Sequence, residues 1–579
     1  MFQPNKRTLA LAVFLTASLP PTALPQAQIS GPNGIRHVLL ISIDGMHALD
    51  YLNCSLGVSG VNGGAPYCPN LAGLGNNGIN YVNTSTSKPS DSFPGLMAIV
   101  TGGSPRTVGA YYDVAYDRSL DAPAQTTGNG VAAGPCTAGA PPTGTRTEYD
   151  EGIDIDQTKL NGGAPGAGLT DGGIASINPA FLIRDPRRGC APVYPWNFVR
   201  TNTIFGVVHA AGGYTAWSDK HPSYSSVAGP GDGRTVDDYY SPEINSAVVN
   251  LPGVTTPTGV SCATIPDPSQ TGSWTDSFQN IQCYDTLKVN GILNQIDGRT
   301  HNGQSRAPVP NLFGMNFQAV SVGQKLIEKN VGSGGYLDAT GTPSTALLSE
   351  IQFVDASIGA MISELKKQGL FNSTLIVITA KHGQSPIDPN RFFPIPGPNG
   401  NNGNSPATIL ANLLPSSESP NNPNGIGPTE DDVSLLWLSD SSQTGNAVSM
   451  LEANAAQAGI GEILAGTAIA QLYNAPGLPP HGDPRTPDII VTPNFGVVYT
   501  GSSKKLAEHG GFAHDDTNVM LLLSNPNFAR ALVSSTVQTA QVAPTILQAL
   551  GLSPSALQAV QMEGTPVLPA APFQNPAAQ

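Results

Sequence analysis

The 579-residue chain carries a formal net charge of -14, with 12% charged and 39% hydrophobic residues. An acidic balance with no basic run and no aromatic-basic interleaving argues against a nucleic-acid-binding module. Abundant Gly (65) and Pro (52) exclude coiled or helical arrays in favour of long loops over an apolar sheet, and the apolar share excludes a wholly disordered chain.

Residues 1–27 carry Lys6 and Arg7 followed by "TLALAVFLTASLPPTALPQA", which reads as a secretory signal peptide cleaved near Ala27. No other run has the roughly 18 consecutive apolar residues of a membrane span. The expectation is a secreted protein with one catalytic domain over 28–579. His37 to Ile43 reads as an apolar strand ending at Asp44 and Gly45. Between Ile79 and Asp117 come a short strand, the polar turn "TSKPSDSFPG" and a helix expected to begin near Leu96. Residues 120–300 are rich in Gly, Pro and Thr and are expected to form a disulfide-pinned, loop-rich insertion and cap. All six cysteines lie in the first half without CxxC spacing. In an exported chain this favours disulfides, with Cys54–Cys68 and Cys262–Cys283 as the natural short-range pairs. Sequons at Asn53, Asn83 and Asn372 could carry glycans in a eukaryotic host.

Leu347, Ile351, Val354, Ile358, Ile362 and Leu365 recur at helical spacing. They lead into "TLIVITAKHGQSPID", a strand that stops at Ala380-Lys381-His382-Gly383. After an excursion over 388–430, "DVSLLWLS", "TPDIIVTPNFGVVYT" and "NVMLLLSN" read as further strands, and "VAPTILQALG" as a closing helix. Alternating strand and helix predicts an α/β fold with a mostly parallel central sheet, whose ligands sit at the carboxyl ends of the strands.

Asp44, Ser92, His382 and His509 fall at such ends. A carboxylate and two imidazoles are ligands that a divalent ion such as zinc accepts. Ser92 stands at the positive end of the expected helix, where a metal-activated hydroxyl could attack phosphorus. Read singly, Asp44 is also a plain turn acid, Ser92 a helix cap, and each histidine a hydrogen-bonding loop residue.

Together with these residues, the blocks "VLLISIDG", "SFPGLMAIVTGGSPRTVGAYYD", "TAKHGQSP", "RTPDIIVTPNFGVVYT", "HGGFAHDDTNVMLLLS" and "VAPTILQALG" resemble, in the same order, the signatures of the alkaline phosphatase superfamily. The nearest branch is the type I phosphodiesterase and nucleotide pyrophosphatase family. The resemblance implies a doubly wound α/β sandwich with a loop-rich cap, a covalent phospho-enzyme, and one or two divalent ions, zinc first. By this likeness Asp44, Ser92, His382 and His509 are metal ligands, and Ser92 is also the nucleophile. The sequence departs from the pattern at Lys381, where the family has aspartate, and at Asn316, Gln318, Ser321 and Gln324, where it has an aspartate and a histidine. Asp113 and Gly95 stand where an asparagine is expected. The exchanged charges suggest that Lys381 pairs with Asp113 or Asp44, with an ammonium beside a single metal, and that Lys381 and Asp113 share in catalysis. Asp219, Lys220 and His221 are expected to enter from the cap and, with Gln318, to bind the phosphate or leaving group. His47, His514, Asp515 and Asp516 would support the site, and Asp355 would be structural.

The activity implied is secreted, metal-dependent hydrolysis of a small-molecule phosphoric ester through a phospho-serine. A silent secreted binding protein on the same scaffold is the alternative. A sulfatase-like hydrolase is the other, although Leu96 stands where that chemistry's maturation motif needs arginine.

Overall fold

Strict alternation along one strand sets the architecture. In β1 (His37–Ile43), Val38 and Leu40 enter one apolar cluster while Leu39, Ile41 and Ile43 enter another, and all five are buried. A strand covered on both faces belongs in the middle of a parallel sheet with helices on either side. The computed structural model describes residues 1, 29–128, 130–148, 177–245, 251, 253–262, 274–395, 403–422, 427–500 and 504–573. The expected signal segment lies outside them.

The remaining strands of the central sheet are β2 (Gly78–Tyr81), β3 (Thr215–Ser218), β4 (Asp238–Tyr240), β5 (Leu312–Phe317), β6 (Thr374–Thr379), β7 (Leu521–Ser524) and β8 (Ala531–Val533). Their spatial order is β8-β2-β7-β6-β1-β5-β3-β4. β7 runs antiparallel to both of its neighbours, and every other adjacent pair is parallel. Seven-residue β1 therefore lies between β5 and β6, and its carboxyl end opens beside theirs.

Helices cover both faces in chain order: α1 (Ala48–Leu56), α2 (Pro69–Asn76), α3 (Ser92–Thr101), α4 (Ile204–Ala210), α5 (Phe278–Ile296), α6 (Ala319–Lys325), α7 (Thr345–Lys367) and α8 (Val542–Ala549). Side chains of α3, α4 and α8 build the first cluster, while α2, α5 and α7 build the second. By length and composition α7 could cross a membrane. Here Leu347, Ile351, Val354, Ile358, Ile362 and Leu365 bury its apolar stripe against the sheet.

Residues 120–300 are not wholly an insertion. β3, β4, α4 and α5 all fall inside that range and complete the central sheet. Strands of three and four residues are too short to show periodicity among Gly and Pro, so their place is fixed by tertiary pairing. Of the later expected strands only "MLLLS" joins the central sheet. A separate four-stranded sheet contains Thr429–Glu430, Ser434–Leu436, Ile460–Ala465 and Ile489–Pro493, with its own apolar filling from Leu436, Leu451, Ile489 and Val491. Disulfides join Cys54 to Cys68, Cys136 to Cys190 and Cys262 to Cys283.

Asp355 interrupts the apolar stripe of α7 for a structural reason. Its carboxylate accepts the Leu71 N–H at 2.8 Å and the Asn70 N–H at 3.2 Å, satisfying donors at the start of α2 that have no helical partner. Asp355→Ala is expected to lower unfolding free energy by roughly 1–3 kcal/mol with hydrolytic activity retained. Denaturant titration beside a rate measurement checks both.

Candidate active site

Sheet register assembles the site. Ser42 pairs with Asn316 on β5 and with Thr379 on β6, and Met315 pairs with Ser218 on β3. The residues just beyond these pairs, Asp44, Gln318, Lys381 and Asp219-Lys220, consequently leave four adjacent parallel strands at one edge. Asp219, Lys220 and His221 thus arrive from a central strand and not from a cap.

Ser92 reaches the same edge from α3. That helix begins at Ser92 itself, four residues before the expected start. Asp91 is its N-cap and accepts the Phe93 N–H at 3.3 Å. Pro94 is compatible because a first-turn N–H has no helical acceptor to lose. The Ser92 hydroxyl accepts a hydrogen bond from Lys220 Nζ at 2.9 Å and lies 3.5 Å from Asp44 Oδ2.

Asp44 is fully buried and held from several sides. Asn316 Nδ2 donates to Oδ1 at 2.7 Å, and Gln318 Nε2 donates to Oδ2 at 2.6 Å. Lys381 Nζ stands 3.9 Å and His382 Nε2 3.5 Å from Oδ2. Burial alone would raise its pKa, but the charges of Lys381, His382 and Lys220 override that and hold it well below the usual carboxylate range. Asp44 is therefore an anion.

Lys381 is as buried as Asp44, and its main partner is neither Asp44 nor Asp113 but Asp219, whose Oδ1 lies 2.8 Å from Nζ. The ammonium also sits 4.1 Å from the Tyr224 ring centroid, within cation–π range. Trp217 Nε1 and the Lys220 N–H hold the Asp219 carboxylate in place. Gly95 lets the backbone of residue 381 approach α3: a Cβ there would lie 2.1 Å from the Lys381 carbonyl oxygen. His221 turns instead to Glu243, 2.8 Å away.

On the opposite side of Ser92, Asp113 Oδ1 accepts the Phe93 N–H at 3.1 Å, and its own N–H donates to Asp91 Oδ2 at 2.8 Å. Burial and then the Asp113 charge push the Asp91 carboxyl well above its ordinary range. His509 lies against His382 with ring centroids 4.1 Å apart, and its Nδ1 is 3.4 Å from Asp91 Oδ1. Burial, the His382 charge and the Lys325 charge depress its pKa well below the usual value, which keeps it neutral. Sequence reasoning missed Asp91, although its place directly before Ser92 marks it as a cap.

The expected supporting residues divide. His47 bonds Asp50 at 2.9 Å and the Gln384 backbone, and Asp515 accepts the Ile387 N–H at 2.9 Å. His514 lines a separate hollow with Ala48 and Phe495. Asp516 lies beneath the site, with its backbone oxygen accepting the Gly383 N–H at 2.7 Å.

A cleft of about 480 Å³ opens beside Lys220, His509 and Asp113, and is lined further by Arg146, Lys325 and Lys505. Asp113, Glu148, Glu430, Asp431 and Glu508 line it as well, so the cleft presents both signs of charge.

The expected metal set of Asp44, Ser92, His382 and His509 does not assemble. Both Asp44 oxygens are engaged by amide donors, Ser92 Oγ by an amine nitrogen, and His509 Nδ1 faces Asp91. Among the described residues no three His, Cys, Asp or Glu side chains converge as a metal group. Ammonium groups cannot ligate a cation, and two of them stand in this one. The residues present do not fit the two-metal arrangement.

A sequence profile of the type I phosphodiesterase / nucleotide pyrophosphatase family matches residues 38–147 and 335–515, just over half the chain. The chain belongs to that family. Its fold is alkaline phosphatase-like: the solved alkaline phosphatase PafA is similar with a TM-score of 0.50 at 12% identity, covering 92% of this chain and 97% of that one. Murine ectonucleotide pyrophosphatase / phosphodiesterase 5, in an inactive form in complex with AMP, has a TM-score of 0.49 at 14% identity, covering 89% of this chain and 95% of that one. The human counterpart gives the same four values. No curated protein shows a significant sequence match. Members of the family are metal-dependent.

Asp432 and Asp516 form a second buried acid pair, tied to the site because the Asp432 N–H donates to the His509 carbonyl at 3.1 Å. Burial pushes Asp516 up to about 8, and burial with the Asp516 charge holds Asp432 well above its ordinary value. A raised folded-state pKa means that the unfolded chain binds fewer protons between the two values. Stability contributed by the protonated pair is thus full below about pH 4 and lost progressively up to about pH 8, at no more than about 1.4 kcal/mol per pH unit for each proton. Asp432→Asn is expected to gain stability relative to the unaltered protein as pH rises from about 5 to 8, read from paired thermal melts.

Proposed function

We propose that this chain hydrolyses phosphoric esters through a covalent intermediate on Ser92. The observation that carries the reading is the Ser92 hydroxyl at the start of α3 with the Lys220 nitrogen 2.9 Å away. Lys220 rests as an ammonium and reacts from its amine form: having released a proton to solvent through the cleft, it takes the Ser92 proton as Oγ bonds to phosphorus and the P–O bond to the alcohol breaks. The resulting ammonium returns that proton to the leaving oxygen. Water then attacks the phospho-serine, giving a proton to Lys220 as the new P–O bond forms. Ser92 Oγ departs and recovers that proton, so the sum is ester plus water to alcohol plus phosphate product.

Asp44 lies close enough to orient the hydroxyl, and Gln318 acts through Asp44, so it is a positioning residue and not a substrate contact. Asp113 holds the first turn of α3. Within the mixed lining of the cleft, Lys220 and Lys325 are the cations that an anionic small-molecule ester would meet. Three disulfides support action in an oxidising, extracellular setting. Leu96 within α3 leaves no arginine for sulfatase-type maturation.

Ser92→Ala is expected to lower hydrolysis of a chromogenic bis-aryl phosphodiester on the order of a thousandfold or more. Acid quench of the unaltered enzyme during turnover of that diester should leave one aryl phosphate on the peptide containing Ser92, detected by mass spectrometry. Undiminished hydrolysis by the variant would sink the reading.

A further inference from the structure

We infer that Lys220 and Lys381 supply at Ser92 the positive charge that divalent ions supply in metal-dependent members of the family, so that hydrolysis proceeds without a bound metal. The inference rests on Ser92 being the nucleophile.

Three independent observations converge on it. First, Lys381 stands directly before His382 with its ammonium 2.8 Å from Asp219 and 3.9 Å from Asp44. It is fully buried, so its charge is screened little by solvent. Second, Asn316 and Gln318 offer Asp44 amide donors where an ion would need lone pairs. The Gln318 amide also contacts the Asn316 side-chain oxygen, which ties the two amides into one unit. Third, Lys220 lies on Ser92 Oγ, the atom that a metal would otherwise activate. A dication placed between Asp44 and Ser92 would meet two lysine side chains, with His382 as the one imidazole beside Asp44 and no group of three His, Cys, Asp or Glu side chains among the described residues.

The chemistry remains complete. A metal lowers the cost of forming the alkoxide and neutralises charge growing on the phosphoryl oxygens. Lys220 does the first by accepting the Ser92 proton and, once protonated, lies beside those oxygens. Lys381 is the fixed cation, anchored by Asp219 and Tyr224 so that it needs no reorganisation during the reaction. Asp44 then orients Ser92 rather than an ion.

The test uses the full chain dialysed against a strong chelator, with metal content measured by inductively coupled plasma mass spectrometry. The expected result is far less than one ion per chain, an unchanged rate of bis-aryl phosphodiester hydrolysis, and no shift of the melting temperature when zinc is added. Lys220→Arg, which keeps the positive charge but cannot exchange a proton, is expected to lower kcat on the order of 10²–10⁴-fold with KM little changed. Loss of hydrolysis on chelation with recovery on zinc would overturn the inference, as would retained kcat in Lys220→Arg. Failure of the Ser92 reading is distinguishable, because then Ser92→Ala hydrolyses as fast as the parent under every condition. Should Lys381→Met not fold, Lys381→Met combined with Asp219→Asn removes both buried charges together. Slow turnover by that pair with and without zinc supports the assignment, and zinc-restored turnover counts against it.

Discussion

The buried ammonium of Lys381 is the constraint on which the rest of the site depends. A cation withdrawn from water costs several kcal/mol unless a carboxylate and further hydrogen bonds meet it. Here Asp219 meets it directly, Asp44 lies one shell of contact beyond, and the Tyr224 ring closes the remaining side. Those partners come from β3, β1 and the segment after β3, so the charge is satisfied only when the strands stand in their observed register. Removing the cation would leave two buried carboxylates facing each other. Chemistry and sheet order are in this way fixed by the same ion pairs.

Backbone packing follows from the same constraint. The Lys381 carbonyl accepts the Thr86 hydroxyl at 2.5 Å and lies so near α3 that only glycine fits at position 95. α3 is thereby pressed against the carboxyl end of β6, and Ser92 is carried to Lys220. An asparagine at Gly95 would collide with the backbone of residue 381, so this contact fixes the approach of α3 to β6 and not the identity of the side chain at 381. Asp113 then fills, from the other side, the role of holding the first turn of the helix.

How much of this was legible in the sequence depended on the length of each segment. β1 and β6 each carry a continuous four-residue apolar run, "VLLI" and "LIVI", shortly before polar residues, so Asp44 and Lys381-His382 could be placed at a sheet edge from sequence alone. α7 was equally plain from its spacing. β3 has only four residues, "TAWS", and its membership in the sheet comes from pairing with β5 far along the chain. Hence the Asp219-Lys220 cluster was visible as charge chemistry but its delivery from the central sheet was not. The start of α3 was misplaced because Pro94 reads as a boundary, whereas the first helical turn tolerates it. Partner choice for Lys381 was also beyond reach, since Asp44, Asp113 and Asp219 are equivalent acids until the fold ranks their distances.

The distribution of protons completes the argument about charge. Asp91 with Asp113, and Asp432 with Asp516, are acid pairs close enough that each retains a proton, so neither presents two full negative charges. Asp44 and Asp219, by contrast, lie beside Lys381 and Lys220. Negative charge beside Ser92 is thus met by the lysines at Asp44 and Asp219 and lowered by proton retention at Asp91. At Asp113 the neighbouring Asp91 carboxyl is held well above its ordinary pKa by burial and the Asp113 charge, so the two acids add one negative charge and not two beside Ser92.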